Sequence, residues 1–189
     1  MLLVITASLG LVAFLLYKSG LSDRPSFEEA ELPPFTALAA TRRTKDFGKE
    51  IPSLLESTKP TNEAHYDTTY TGDKVSVGLY IDDPSQADEP RWALGWVVQK
   101  ETPVPSKELR LVHWKGGSVL KARIPWRHSW TPMVAPLLHW KRGFESFVSG
   151  GDQGPAIALE VYAHEAGWLE YIILSGKGME GMEKALFPE

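Results

Sequence analysis

Two pairs of segments resemble each other and decide the fold: SVGLY at 76–80 with RWALGWVV at 91–98, and ALEVY at 158–162 with GWLEYIIL at 167–174. Each pair contains two short runs rich in aliphatic and aromatic residues, separated by turn-forming residues, as expected for consecutive β-strands. Superposing the pairs places Tyr80 on Tyr162, Trp92 on Trp168 and Gly78 on Glu160. The chain is therefore predicted to contain a tandem duplication.

The surrounding sequence adds a helix to each half. Strands are predicted at 35–41, 75–81, 92–98, 109–114, 118–125, 156–162 and 168–174. Apolar residues at helical spacing are Phe47, Ile51, Leu54 and Leu55 in the first half, and Leu137, Trp140, Phe144 and Phe147 within a helix at 131–148. The predicted fold class is α+β, a duplicated strand-helix-strand-strand domain whose two antiparallel sheets meet along a pseudo-twofold axis.

The N-terminal residues have a different composition from the rest of the chain. Residues 1–17 carry no charge, and as a helix they would span about 26 Å, close to the roughly 30 Å of a bilayer core. We predict a transmembrane anchor at 1–21, a linker at 22–34, the folded domain at 35–175 and a flexible tail at 176–189. A cleaved signal peptide and a buried core helix are the alternatives for the first segment.

The flanking charges predict the orientation of this anchor. Lys18 and Arg24, the first basic residues, follow the apolar run, so the positive-inside rule places the domain in the cytosol. A span this short suits the thin membrane of the endoplasmic reticulum. The predicted location is therefore the endoplasmic reticulum membrane, with a single span and a cytosolic C-terminal domain.

Composition excludes several chemistries. The 189 residues include no cysteine, which excludes disulfides, cysteine-ligated zinc, iron–sulfur clusters and a thiol nucleophile. The five histidines lack metal-ligand spacing, and no GxSxG elbow is present. The GxGxxG of Gly176, Gly178 and Gly181 has too few residues after it to form a dinucleotide site. No metal, cofactor or catalytic residue is predicted.

The stretch 109–144 carries seven Lys or Arg and no Asp or Glu, interleaved with tryptophans. Such a pattern can bind single-stranded nucleic acid or anionic lipid headgroups. Alternatively, the tryptophans fill the core of the second half while the cations remain solvated. We favour the last interpretation, and nucleic acid is not an expected partner.

Strand alternation indicates where a ligand would bind. Along 156–162, Glu160 and Tyr162 point to one face together with small residues, and Gly78 and Tyr80 do so in the mirrored strand. If these faces meet at the pseudo-twofold axis, they form an aromatic cleft with one carboxylate, suited to an apolar or cationic ligand. The alternative is that Glu160 is a solvated residue on an open sheet face.

The segments VSVGLYIDDP at 75–84, VLKARIPWR at 119–127, the helix at 131–148 and ALEVY at 158–162 resemble the gyrase-inhibitor-like family. This resemblance implies a small-molecule site in the cleft between the two halves, with an acidic residue on the strand that holds Glu160. The candidate ligand-binding residues are Glu160, Tyr80, Tyr162, Trp92, Trp168 and Gly78. Some relatives hydrolyse strained electrophiles, but no residue pattern here indicates catalysis.

The apolar N-terminus joined to this domain resembles members of the family that act as receptors for selective autophagy of the endoplasmic reticulum. That resemblance implies a membrane-tethered, cytosol-facing adaptor, with the membrane as partner through residues 1–17 and autophagy or quality-control proteins as further partners. The chain lacks a long acidic tail, and at Phe27 the fourth position of an autophagosome-binding motif is Ala30. The alternative is a small-molecule sensor or hydrolase that uses Glu160.

Overall fold

An eight-stranded antiparallel β-sheet forms the centre of the protein in a computed structural model, which describes residues 10, 13–14, 17, 26–83, 86–125, 156–175 and 178–188. The strands are β1 (Glu28–Leu32), β2 (Phe35–Arg43), β3 (Val75–Tyr80), β4 (Arg91–Val98), β5 (Leu109–Trp114), β6 (Gly117–Pro125), β7 (Ala156–Ala163) and β8 (Trp168–Ser175). The helices are α1 (Phe47–Ser57) and α2 (Gly178–Leu186), with a short 3-10 turn at Glu63–His65.

The order of the strands confirms the duplication and corrects the number of sheets. From edge to edge the order is β1-β6-β8-β7-β3-β4-β2-β5, so β6, β8 and β7 of one half mirror β2, β4 and β3 of the other. The prediction of two sheets was wrong. Strands β3 and β7 pair antiparallel at the centre, because each is the free edge of its half, and this pairing joins the halves into one sheet.

The register between β3 and β7 locates the pseudo-twofold axis. Gly78 pairs with Glu160, and these are the two positions that the duplication makes equivalent. On either side of this pair, Tyr80 lies opposite Ala158 and Tyr162 lies opposite Ser76, which are again equivalent pairs. The axis therefore passes between Gly78 and Glu160.

The face of the sheet covered by α2, here called the α2 face, buries the largest apolar cluster. Valines and leucines at alternate positions of β3 and β7 form its middle, and Met179, Met182 and Leu186 of α2 are buried against it. The flexible tail predicted at 176–189 is thus corrected for residues 178–186. Their spacing of three and four residues places all three apolar side chains on one side of a helix.

Helix α2 is also attached to the sheet by charge. Arg91 of β4 donates from Nη1 to Glu183 of α2 at 2.7 Å, and it binds Asp82 through Nε and Nη2 at 2.9 and 2.8 Å. Phe187 lies beneath the guanidinium groups of Arg43 and Arg91. The hydrogen bonds from Arg91 lower the pKa of Asp82 below its ordinary value. The end of α2 is thereby fixed beside the start of β4.

Helix α1 covers the first half of the opposite face, here called the α1 face. Its apolar stripe, predicted from sequence, packs with Leu54 fully buried and with Phe47, Ile51 and Leu55 at the border of the cluster. Trp96 of β4 donates from its indole nitrogen to the carbonyl of Leu55 at 2.9 Å. The predicted helix at 131–148 of the second half lies outside the described residues.

Strand β1 corrects the predicted linker at 22–34. Residues Glu28–Leu32 pair with β6 at the edge of the sheet, with Leu32 buried and the three glutamates exposed. Glu28 lies opposite Lys121, and Glu31 accepts a hydrogen bond from Ser118. An edge strand needs to bury only one side chain when its backbone is paired and its charges face a basic neighbour.

The predicted N-terminal anchor falls almost entirely on residues outside those described. Of residues 1–21, the structure describes only Gly10, Ala13, Phe14 and Tyr17. Within the described part of the chain, no helix has the length and apolar character needed to cross a membrane. The anchor at 1–21 and the location at the endoplasmic reticulum stay predictions of the sequence.

Candidate functional site

A buried carboxylate lies on the pseudo-twofold axis. Glu160 of β7 points to the α1 face between the two halves, and only 1% of its surface is exposed. This burial excludes the alternative that Glu160 is a solvated residue on an open sheet. Carboxylates are rarely buried without compensation, so the groups around it determine what the site can do.

Two tyrosines donate hydrogen bonds to the same oxygen of this carboxylate. The hydroxyl of Tyr80 lies 2.9 Å from Oε2 of Glu160, and the hydroxyl of Tyr162 donates to the same atom. The two tyrosines occupy equivalent positions in the two halves, so they approach the carboxylate from opposite sides of the axis. The sequence prediction that these three side chains converge agrees with this placement.

Gly78 supplies the space that this arrangement needs. It is the residue of β3 directly opposite Glu160. A Cβ atom at this position would lie 3.3 Å from the ring of Tyr80 and 3.6 Å from Oε2 of Glu160. The Tyr80 ring would have to move by a few tenths of an ångström, which would disturb its hydrogen bond to the carboxylate.

Aromatic rings extend the site on the side of the first half. Trp92 of β4 stacks on Tyr80 with ring centroids 6.5 Å apart and an angle of 19°. Phe47 of α1 packs on both rings, at 5.0 Å from Trp92 and 6.1 Å from Tyr80. The indole nitrogen of Trp92 donates to the carbonyl of Thr44 at 2.9 Å, which fixes the ring. Phe47 was predicted as a helix residue only, and no sequence signal linked it to the site.

Tyr171 of β8 lies on the side of the second half. It is the residue directly opposite Glu160 in the β7–β8 pair, and it packs with Tyr162, Leu169 and Ile124. Burial raises its pKa well above the ordinary value of a tyrosine. Sequence analysis missed this residue, although the alternation of β8 places it on the same face as its neighbour Glu160.

The structure does not bring Trp168 to this site. Its side chain packs on the α2 face, where the guanidinium of Arg123 lies 4.1 Å above its ring. Tyr80 pairs with Trp92, whereas Tyr162 pairs with Leu169, so Leu169 is the true equivalent of Trp92. Matching the two tryptophans shifted the second strand by one residue, and that shift reverses the face of every side chain.

A serine–histidine pair adjoins the site along β3. The hydroxyl of Ser76 lies 2.8 Å from Nε2 of His164, whose ring stacks on Trp96 with centroids 5.4 Å apart. Burial lowers the pKa of His164 below its ordinary value. His164 itself lies in the exposed turn after β7. The contact with Ser76, 88 positions away, could not be predicted from local pattern.

The electrostatics of the site are dominated by burial. Loss of water raises the pKa of Glu160 from its ordinary value of 4.5 to about 7, and the hydrogen bonds from Tyr162 and Tyr80 oppose this rise. In the described part of the chain, no Lys, Arg or His nitrogen lies within 4 Å of this carboxylate. At neutral pH the site therefore holds a carboxyl group that is about half protonated.

The described residues do not form a recognisable metal site. Across 26–83, 86–125, 156–175 and 178–188, no three His, Asp or Glu side chains are grouped so that they could hold a metal ion. The chemistry offered at the axis is one ionisable carboxyl group, tyrosine hydroxyls and aromatic faces. These groups suit binding by charge, hydrogen bonds and ring contact.

Two solved structures have the same fold as this chain. The integron cassette protein VCH_CASS2 of Vibrio cholerae matches with a TM-score of 0.51 and 16% identity, over 81% of this chain and 98% of that chain. The C-terminal domain of EcmrR matches with a TM-score of 0.56 and 10% identity, over 80% and 96% of the two chains. At these identities the likeness shows the fold alone.

A third structure, SAV2435 bound to tetraphenylphosphonium, has a TM-score of 0.42 and 9% identity over 82% of this chain and 96% of that chain, which shows nothing about this chain. No family model and no curated protein sequence matches the chain. The predicted resemblance in layout to testis-expressed protein 264, an endoplasmic reticulum receptor for selective autophagy, has no support from these comparisons. What they show is that the chain has the gyrase-inhibitor-like fold predicted from its sequence.

Proposed function

We propose that this domain binds an apolar organic cation between its two halves, with Glu160 as the counter-charge. The observation that carries the proposal is a fully buried carboxylate that has two tyrosine donors and, among the described residues, no cationic partner. Removing such a group from water costs free energy that two hydrogen bonds from neutral hydroxyls offset only in part, and a cation or a proton would supply the rest. The predicted adaptor function at the endoplasmic reticulum is compatible with this binding but is not supported by it.

The rings around the carboxylate favour an aromatic or bulky cation over a small, hydrated one. Tyr80, Trp92 and Phe47 pack against one another and present aromatic surface on one side, and Tyr162 with Tyr171 does so on the other. Ring faces attract a cation within about 6 Å, and the attraction is strongest when water is excluded. An ammonium or metal ion would have to lose its hydration shell here, whereas an organic cation with delocalised charge loses little.

The test compares two ions of the same shape and opposite charge. Tetraphenylphosphonium and tetraphenylborate differ in charge but hardly in size, so calorimetric titration of the full chain with each ion isolates the electrostatic contribution. We expect binding of tetraphenylphosphonium, and binding at least tenfold weaker for tetraphenylborate. Equal or tighter binding of the borate would refute the proposal, as would an absence of phosphonium binding.

The role of Glu160 as the counter-charge is tested with a matched pair of variants. Glu160→Gln keeps the shape of the side chain and removes its charge, and a charge-assisted contact contributes about 1.5–3 kcal/mol, so phosphonium affinity should fall by on the order of tenfold to a hundredfold. Glu165→Gln removes the same charge from the exposed β7–β8 turn and should leave the affinity unchanged. If both variants bind as well as the unmodified chain, the cation does not bind at Glu160.

A further inference from the structure

We propose that this site exchanges a proton for its cation: below pH 7 Glu160 is protonated when the site is empty, and cation binding releases that proton to solvent. This inference rests on the proposed function and adds to it a dependence of binding on pH. In the exchange, the O–H bond of the carboxyl group breaks, the proton leaves to water, and the organic cation takes its place beside the carboxylate. The charge of the site is then close to zero in both states.

Side chains from several neighbouring elements surround the Glu160 carboxyl group. Tyr80 reaches it from β3, Tyr162 from its own strand and Tyr171 from β8, while α1 and β4 contribute the uncharged rings of Phe47 and Trp92. Burial and the nearby carboxylate raise the pKa of all three tyrosines well above the ordinary value, so they remain protonated through neutral pH. Among these groups only Glu160 can change its charge.

His164, in the turn that follows β7, also titrates near neutral pH, and it faces a different partner. Its Nε2 lies 2.8 Å from the hydroxyl of Ser76, and its ring lies on Trp96. Partial burial lowers the pKa of His164 below its ordinary value. Its protonation would also weaken cation binding, so a variant at this position is needed as a control.

The pH range of the exchange follows from the titration of Glu160. With its pKa raised to about 7, the carboxyl of the empty site is mostly protonated at pH 6 and mostly ionised at pH 8. Only the ionised form attracts a cation, so binding must displace the proton from the remaining fraction. We expect release of about 0.9 proton per cation at pH 6, about 0.5 at pH 7 and about 0.1 at pH 8.

The experiment measures this release directly. Calorimetric titration of the full chain with tetraphenylphosphonium is run at each pH in two buffers of different ionisation enthalpy, and the difference in observed heat gives the number of protons released. Affinity should be about tenfold weaker at pH 6 than at pH 8. His164→Gln should keep both the release and the pH dependence, whereas Glu160→Gln should abolish them.

The outcomes separate the two proposals. Phosphonium binding with the same affinity at pH 6 and 8 and with no proton release overturns the exchange and leaves the cation site intact. Loss of the pH dependence in His164→Gln also overturns it, because the histidine would then be the titrating group. An absence of phosphonium binding at every pH overturns the proposed function itself.

Discussion

Glu160 and Glu170 are two fully buried carboxylates on neighbouring strands, and they differ in how their charge is compensated. Glu160 lies on the α1 face with tyrosine hydroxyls as its partners. Glu170 lies on the α2 face, where Arg123 of β6 donates to it from Nε and Nη2 at 2.9 and 2.7 Å. Lys121 lies 3.5 Å from the same oxygen, and Tyr70 donates to the other.

The difference lies in where the compensating charge is found. At Glu170 the compensating cations belong to the adjacent strand, and Arg123 is the residue directly opposite it in the β6–β8 pair. That charge is satisfied within the fold. At Glu160 the described residues supply hydrogen bonds and no positive charge. A proton or a bound cation would therefore have to neutralise its negative charge. A buried carboxylate thus indicates a binding site only when the fold itself leaves it without a cation.

Breaking the Glu170 ion pair should have the largest effect. Arg123→Met removes the bidentate partner and leaves Lys121 and Tyr70 as the partners of this buried charge among the described residues, so we expect the free energy of unfolding to fall by about 3–4 kcal/mol. Chemical denaturation measures this loss. Lys59→Met, which breaks the exposed pair with Glu56, should leave the free energy of unfolding nearly unchanged. Equal effects of the two variants would show that Glu170 does not depend on its cation.

The Glu160 carboxyl should make the stability of the fold depend on pH. Its folded pKa of about 7 exceeds the ordinary 4.5, so the folded state binds the proton more tightly than the unfolded state. The resulting stabilisation is fully present below about pH 4.5 and is lost as pH rises through about 7. Its total is up to about 3 kcal/mol.

Glu160→Gln isolates this contribution. Denaturation of the unmodified chain and of Glu160→Gln between pH 4.5 and 8 gives a difference in the free energy of unfolding at each pH. That difference should shift in favour of the variant by up to about 3 kcal/mol as pH rises. A difference that stays constant over this range would mean that Glu160 has an ordinary pKa, and the contrast with Glu170 would disappear.

The smallest expected effect concerns the tyrosine donors. Tyr80→Phe and Tyr162→Phe each remove a hydrogen bond to the ionised form, which contributes about 1.5 kcal/mol, and should raise the pKa of Glu160 by about one unit above 7. A carbon-13 NMR titration of the carboxyl group measures this. Tyr70→Phe removes the donor to Glu170 instead and should leave the titration of Glu160 unchanged. If Tyr70→Phe alone shifted the pKa of Glu160, Tyr80 and Tyr162 would not be its hydrogen-bond donors.

The axis site was predictable because its signals are local. Period-two alternation fixes that Glu160 and Tyr162 share a face, and the duplication relates Tyr162 to Tyr80. The predicted strands agree with β2 to β8, since each is a short apolar run bounded by turn residues. Trp168 was misplaced because identical residues were matched across hairpins whose registers differ by one position.

The Glu170 site had no such signal. Tyr70 lies 100 positions from Glu170, and Arg123 lies 47 positions away in a stretch interpreted as solvated cations, so only the pairing of β6 with β8 reveals their contact. Strand β1 was missed because three of its five residues are glutamates and only Leu32 is buried, so its sequence has no apolar run. Helix α2 was missed because its glycines were interpreted as a flexible tail. The helical spacing of Met179, Met182 and Leu186 would have indicated a helix.

The Gly78–Glu160 pair on the axis has a consequence for how such a site can arise. If each half were a separate molecule in a symmetric dimer, any residue on the twofold axis would occur twice. Two glutamates there would repel each other in a buried setting, and two glycines would carry no charge. A single carboxylate between two equivalent tyrosines can arise only when both halves are encoded in one chain, because the two positions can then mutate independently. Gene fusion followed by divergence at one position is therefore sufficient to turn a symmetric contact into one that holds a single buried charge.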